Sequence, residues 1–152
     1  MEDKARQYAL RLLSYRGRSV RELEERLRRK GFTGYVVSST IKHLKLTCLI
    51  DDKALAEALK REAMTTKFLS QYGARRFILA RGISREIVDT VFSPDEEEDI
   101  KNANRLVDKK LRIIENLPTE KIKRRLHNLL FRKGYSLETI ESVLKKRSFK
   151  ED

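Results

Sequence analysis

A basic residue, a glycine and a large apolar residue recur three times in this chain, as Lys30-Gly31-Phe32, Arg81-Gly82-Ile83 and Lys133-Gly134-Tyr135. The glycines are 51 and 52 residues apart. A hydroxyl residue follows each at plus two: Thr33, Ser84 and Ser136. Apolar residues stand at plus six (Val37, Val88, Ile140), at plus ten (Ile41, Phe92, Leu144) and at minus four (Leu27, Ile78, Leu130). Each part has a physical reading. A cation in the last turn of a helix suits the negative end of its dipole. Glycine just past that turn adopts the left-handed conformation without a Cβ penalty and stops the helix. The hydroxyl accepts from a free backbone N–H and starts the next helix. Positions plus six and plus ten share one helical face. Each copy therefore predicts a helix, a tight turn and a second helix, and a period near fifty marks a repeat.

The remaining sequence supplies a third helix per copy. Ala5, Tyr8, Ala9, Leu12 and Leu13 form one stripe, stopped by Gly17; Ser19 and Glu22 form a capping box before Val20, Leu23 and Leu27. Val36, Val37, Ile41 and Leu44 complete the first group. After a short apolar joint at 47–50, Asp51 and Asp52 start a helix whose inner face reads Leu55, Ala58 and Leu59. Ser70 caps the next helix, which turns Ala74, Phe77 and Ile78 inward, and residues 84–92 close the group. Ser93-Pro94 reads as the start of a long helix, with Ser as cap and Pro at the first position. The acidic run 95–99 complements its dipole. The helix then carries Ile100, Ala103, Val107, Leu111 and Ile114. Ile122, Leu126, Leu129 and Leu130 stripe the next helix, and Ile140, Val143 and Leu144 the last. The basic tail after Lys145 frays. No alternating β-branched stretch predicts a strand. The expectation is an all-α fold of nine helices, grouped as units 1–46, 47–93 and 94–152. A unit of fifty residues is marginal alone, whereas stacked units share their cores.

The formal net charge is +12 and the isoelectric point about 10.0, which favours anionic partners. The units carry +7, +2 and +3. The basic residues cluster: Arg26, Arg28, Arg29 and Lys30 in the first unit, Arg75, Arg76 and Arg81 in the second, and Lys121, Lys123, Arg124, Arg125, Arg132 and Lys133 in the third. Similar clusters at one place in a repeat suggest a ridge that meets phosphates or carboxylates along an extended partner, with an affinity that falls with salt. Tyr15, Tyr35, Tyr72 and Tyr135 lie near turns, where they are expected to plug joints between helices rather than to stack on bases.

Catalysis finds no support in the residues. His43, His127 and Cys48 are isolated, the glycines are spread as helix stops, and no paired carboxylates sit in an apolar setting. No cofactor or metal is expected. A single cysteine excludes an internal disulfide and fits a reducing cytoplasm. No signal peptide or membrane span is read. Helix–turn–helix pairs also admit a direct DNA binder, but Ser38, Ser39 and Thr40, or Asp89 and Thr90, are poor base readers.

Taken together, Arg16-Gly17-Arg18-Ser19 with Glu22-Leu23, Leu49-Ile50-Asp51-Asp52 with Ala56, Gly73 followed by Arg81-Gly82-Ile83, and Lys133-Gly134-Tyr135-Ser136 resemble the RecX family of bacterial regulators. The resemblance runs from about Ala5 to Leu144. It implies tandem three-helix repeats in an elongated, curved, modular body. It also implies binding to the RecA recombinase filament, in its helical groove, with single- or double-stranded DNA at hand. The implied effect is restraint of recombination, of ATP hydrolysis and of the co-protease activity that triggers the SOS response in DNA repair.

Overall fold

The structure, a computed structural model, describes residues 1–147 and 149. Of the tail expected to fray after Lys145, Arg147 is instead anchored, 2.7 Å from Asp108 Oδ1 and donating to Asn104, and Phe149 packs against the core of the second unit; residues 148 and 150–152 lie outside the described residues. Among the described residues there are nine α-helices, one π-helical turn and no strand: α1 (Glu2–Tyr15), α2 (Val20–Lys30), α3 (Gly34–Leu46), α4 (Asp52–Arg61), the π-turn (Glu62–Thr66), α5 (Gln71–Ala80), α6 (Arg85–Val91), α7 (Glu96–Ile114), α8 (Thr119–Arg132) and α9 (Leu137–Lys145). The chain divides into two compact units, one of Met1–Leu59 with Phe77–Val91, the other of Lys60–Arg76 with Phe92–Asp152.

In the first unit, α1, α2 and α3 close over Ala5, Ala9, Leu12, Leu23, Leu27, Val37, Ile41 and Leu44. The turn between α2 and α3 is the expected one. Gly31 is left-handed (φ 108°), the Phe32 N–H donates to the Leu27 carbonyl at 3.2 Å, and Thr33 Oγ1 accepts from the Val36 N–H. The capping box at α2 is also present: Ser19 Oγ accepts from the Glu22 N–H at 3.1 Å, and Glu22 Oε1 accepts from the Ser19 N–H at 2.9 Å. Ser19 is fully buried because its hydroxyl proton has a second use. It donates to the Arg81 carbonyl at 2.6 Å, next to Gly82. Asp52 Oδ1 accepts from the N–H of Val20, the first residue of α2, at 3.0 Å. Burial raises the Asp52 carboxyl against that hydrogen bond.

The second unit repeats these contacts about fifty residues on. The Ser70 N–H donates to the Lys133 carbonyl at 3.0 Å, and Ser70 Oγ accepts from the Gly73 N–H at 3.0 Å. Asp99 Oδ1 accepts from the N–H of Gln71, the first residue of α5, at 2.9 Å, and burial again raises this carboxyl. Glu98 accepts from the Gln71 side-chain amide at 3.1 Å. Ser136 Oγ caps α9 through the Thr139 N–H. The core of this unit is Ala103, Val107, Ile122, Leu126, Leu130, Ile140 and Val143, with Tyr135 buried against it. The Tyr135 hydroxyl donates to the Phe68 carbonyl at 2.8 Å and accepts from Asn102 Nδ2 at 3.0 Å. Burial pushes its phenol far above the ordinary range.

Several sequence expectations are corrected. α7 begins at Glu96, not at Ser93-Pro94, because Asp95 Oδ1 accepts from the Glu98 N–H and brings a full negative charge to the helix start. α1 ends on an extended Arg16 before Gly17 is reached. α4 buries Ala56 and Leu59 and leaves Ala58 exposed, and a π-turn that no pattern announced follows it. Tyr15, Tyr35 and Tyr72 are exposed; only Tyr135 of the four plugs a joint. Tyr35 lies three residues past the position equivalent to Tyr135, which is Phe32, so its ring falls off the inner face.

Arg81 departs further from expectation. Its side chain is only 15% exposed, and Nε lies 3.0 Å from Glu22 Oε2. Its Nη2 donates to Glu22 Oε1 at 3.2 Å and to the Gly17 carbonyl at 2.8 Å. Burial alone would raise the Glu22 carboxyl. Hydrogen bonds from Arg81 and the Ser19 N–H, with the charges of Arg81 and Arg16, outweigh it and hold the carboxyl below its ordinary value.

Two predictions follow from this geometry. A Cβ on Gly31 would meet nothing within 4 Å, whereas one on Gly134 (φ 94°) would lie 2.7 Å from Ser70 Oγ and 3.1 Å from Gly73 Cα. Gly31→Ala is expected to cost only the left-handed penalty, about 1–2 kcal/mol. Gly134→Ala should cost about 1–3 kcal/mol more through overpacking, read from urea unfolding. The second prediction concerns pH. A depressed carboxylate contributes its stability above its unfolded pKa and loses it as pH falls through the folded value. Glu22→Gln should therefore be less stable than wild type at neutral pH, with the gap closing as the pH falls below the ordinary glutamate range. A gap that stays constant would contradict the pairing.

Candidate functional site

Each unit presents its cations by itself. In the first, the last turn of α2 carries Arg28, Arg29 and Lys30 exposed, placed there by a helix end that favours positive charge. Lys30 Nζ sits 5.3 Å from the centre of the Tyr8 ring, and the Arg11 guanidinium 5.9 Å from the same ring. Such contacts position a cation without neutralising it. Arg26 is half-buried. Arg81 does not join an outward cluster, since Glu22 and the Gly17 carbonyl occupy its guanidinium.

In the second unit Arg76 is exposed over the Tyr72 ring at 5.7 Å. Arg75 and Lys60 flank the Phe92 ring at 5.6 and 4.8 Å, so Arg75 is tied into packing. Lys121, Lys123, Arg124, Arg125 and Arg132 are all exposed along α8. Lys133 is half-buried, with its carbonyl committed to Ser70. From Lys121 to Leu137 the chain contains no acidic residue.

A cleft of about 540 Å³ opens between α7 and α8, lined by Lys110, Arg125, Asn128, Leu129, Phe131 and Arg132. Lys110 and Phe131 had no place in the sequence reading. The signal for Phe131 was available: it falls outside the α8 stripe of Ile122, Leu126, Leu129 and Leu130, so a helix that buries the stripe leaves it in water. The signal for Lys110 was not, because its partner surface lies on another helix.

Among the described residues no group of three or more His, Cys, Asp or Glu side chains could hold a metal ion, and no helix is long and apolar enough to cross a membrane. The geometry offers exposed cationic faces on α2 and α8, each helix buried on its opposite side.

Comparisons with known proteins agree with this architecture. The RecX first three-helix domain matches residues 5–44, and the RecX third three-helix domain matches residues 96–144. The regulatory protein RecX of Streptomyces coelicolor is 31% identical over 135 residues, which covers 88% of this chain and 72% of that one. The regulatory protein RecX of Chlorobaculum tepidum is 27% identical over 144 residues, or 95% of this chain and 88% of that one. The crystal structure of RecX from Lactobacillus salivarius shares the fold, with a TM-score of 0.77 at 22% identity over 95% of each chain. Two matched domains at the two ends of one chain, and relatives aligned across most of their length, lead to one conclusion: the chain belongs to the RecX family.

Proposed function

We propose that this chain is a non-enzymatic cytoplasmic regulator that binds the RecA recombinase filament on DNA, along its helical groove. There it restrains recombination, ATP hydrolysis and the co-protease activity behind the SOS response. The observation that supports the reading is the exposed cation set on α2 and α8, in a family whose members are named regulatory proteins. The three-helix units 1–46, 47–93 and 94–152 are read as modules that bring such cations to a long partner. A filament groove is a long surface with DNA inside it. Cations that meet it add affinity without reading sequence.

The test is ATP hydrolysis by the cognate recombinase on single-stranded DNA while this protein is titrated in. Hydrolysis should fall. Replacing Arg28, Arg29, Lys30, Arg76, Lys121, Lys123 and Arg124 by Ala should relieve the inhibition. Each change is expected to cost less than about 0.5 kcal/mol of stability. Inhibition that survives removal of all these cations overturns the ridge, and a wild-type protein that leaves hydrolysis untouched overturns the reading as a whole.

A further inference from the structure

The α7–α8 cleft joins three features. The first is an apolar ring left in water. Phe131 is 61% exposed, while its neighbour Leu130 is fully buried, so the helix has filled its core and the phenyl face is surplus to it. The second is a set of cations with no carboxylate among the described residues to neutralise them: Lys110 from α7, and Arg125 and Arg132 from α8. The third is geometry. Arg125 and Arg132 are seven residues apart, which is close to two turns. They stand on one side of α8 about 10 Å apart along its axis, with Asn128 between them.

We propose that this cleft binds single-stranded nucleic acid. Phe131 stacks on one base, Lys110, Arg125 and Arg132 meet the phosphates around it, and Asn128 reaches the base edge. Every base has a π-face, so a phenyl platform beside unpaired cations holds a strand without demanding a sequence. A duplex keeps its bases stacked on each other and offers Phe131 no face. An acidic peptide would satisfy the cations and leave the ring idle. The proposal deepens the filament reading and rests on it for the presence of a DNA strand in the cell, but it is measured without the recombinase.

The experiment is fluorescence anisotropy of the full chain with a labelled oligothymidylate, with an abasic oligomer of equal length and with a duplex. Wild type should bind oligothymidylate more tightly than either control. Phe131→Ala should weaken that binding about tenfold and leave the abasic oligomer unaffected, while Phe131→Tyr retains it. Arg125→Ala with Arg132→Ala should lower the slope of log affinity against log salt by about 1.4. Equal binding of the abasic oligomer or the duplex overturns the proposal, as does a Phe131→Ala protein that binds like wild type. The ring is exposed, so loss of fold does not explain a loss of binding; far-ultraviolet circular dichroism checks this. Recombinase ATP hydrolysis, read in parallel, separates the two ideas. A wild type that binds the oligonucleotide but does not slow hydrolysis removes the filament reading and leaves this site standing. A Phe131→Ala protein that slows hydrolysis normally but no longer binds the oligonucleotide upholds both.

Discussion

A serine that starts one helix rests on the turn that ends another, more than sixty residues later. Ser19 donates through its hydroxyl to the Arg81 carbonyl, and Ser70 donates through its backbone N–H to the Lys133 carbonyl. Both serines are buried, and both press on the glycine of the basic–glycine–apolar turn. The recurring glycine thus answers two demands. It supplies a left-handed stop; at position 134 it also leaves room for Ser70, and at position 82 for Arg21 and Ser19 together. Gly31 answers only the first, since nothing lies near its missing Cβ. A carboxylate accompanies each contact: Asp52 holds the start of α2, and Asp99 that of α5. Free N–H groups at a buried helix start are costly, and here they are satisfied from a different helix.

These polar contacts decide where charge is left over. Glu22, Asp52, Glu98 and Asp99 face inward and are bonded to backbone, to Gln71 or to Arg81. The acids used in this way are withdrawn from the surface. The cations of α8 then meet solvent in a stretch with no acidic residue from Lys121 to Leu137, whereas on α2 Glu24 and Glu25 stand one turn before Arg28 and Arg29. Part of the net +12 thus stands on one helix, α8, as an exposed cationic stretch. That is the property a protein needs to engage a polyanion, and it fits a regulatory member of the RecX family.

Much of the fold was readable because it rests on local rules. The left-handed glycines, the hydroxyl caps at Thr33, Ser84 and Ser136, the capping box at Ser19 and the buried positions four before and six after each glycine all follow from short-range physics. What stayed hidden depends on partners distant in sequence. Nothing near Arg81 announces that Glu22 will claim it. Asn102 sits in a helical stripe like any surface amide, yet it is buried between Leu69 and Tyr135. The acidic run at 95–99 looked like plain dipole complementation. Asp95 does serve its own helix, but Asp99 serves another. The basic cluster on α8 was visible as composition; the cleft it forms with Lys110 was not.

A double-mutant cycle on Ser70 and Gly134 tests whether the helix-start serine is what the turn glycine makes room for. Ser70→Gly removes the hydroxymethyl group that a Cβ at 134 would strike. The account predicts that Gly134→Ala costs at least about 1 kcal/mol less in the Ser70→Gly background than in wild type, by urea unfolding. If the two substitutions add to within about 0.3 kcal/mol, serine and glycine are independent and the account of the junction is wrong.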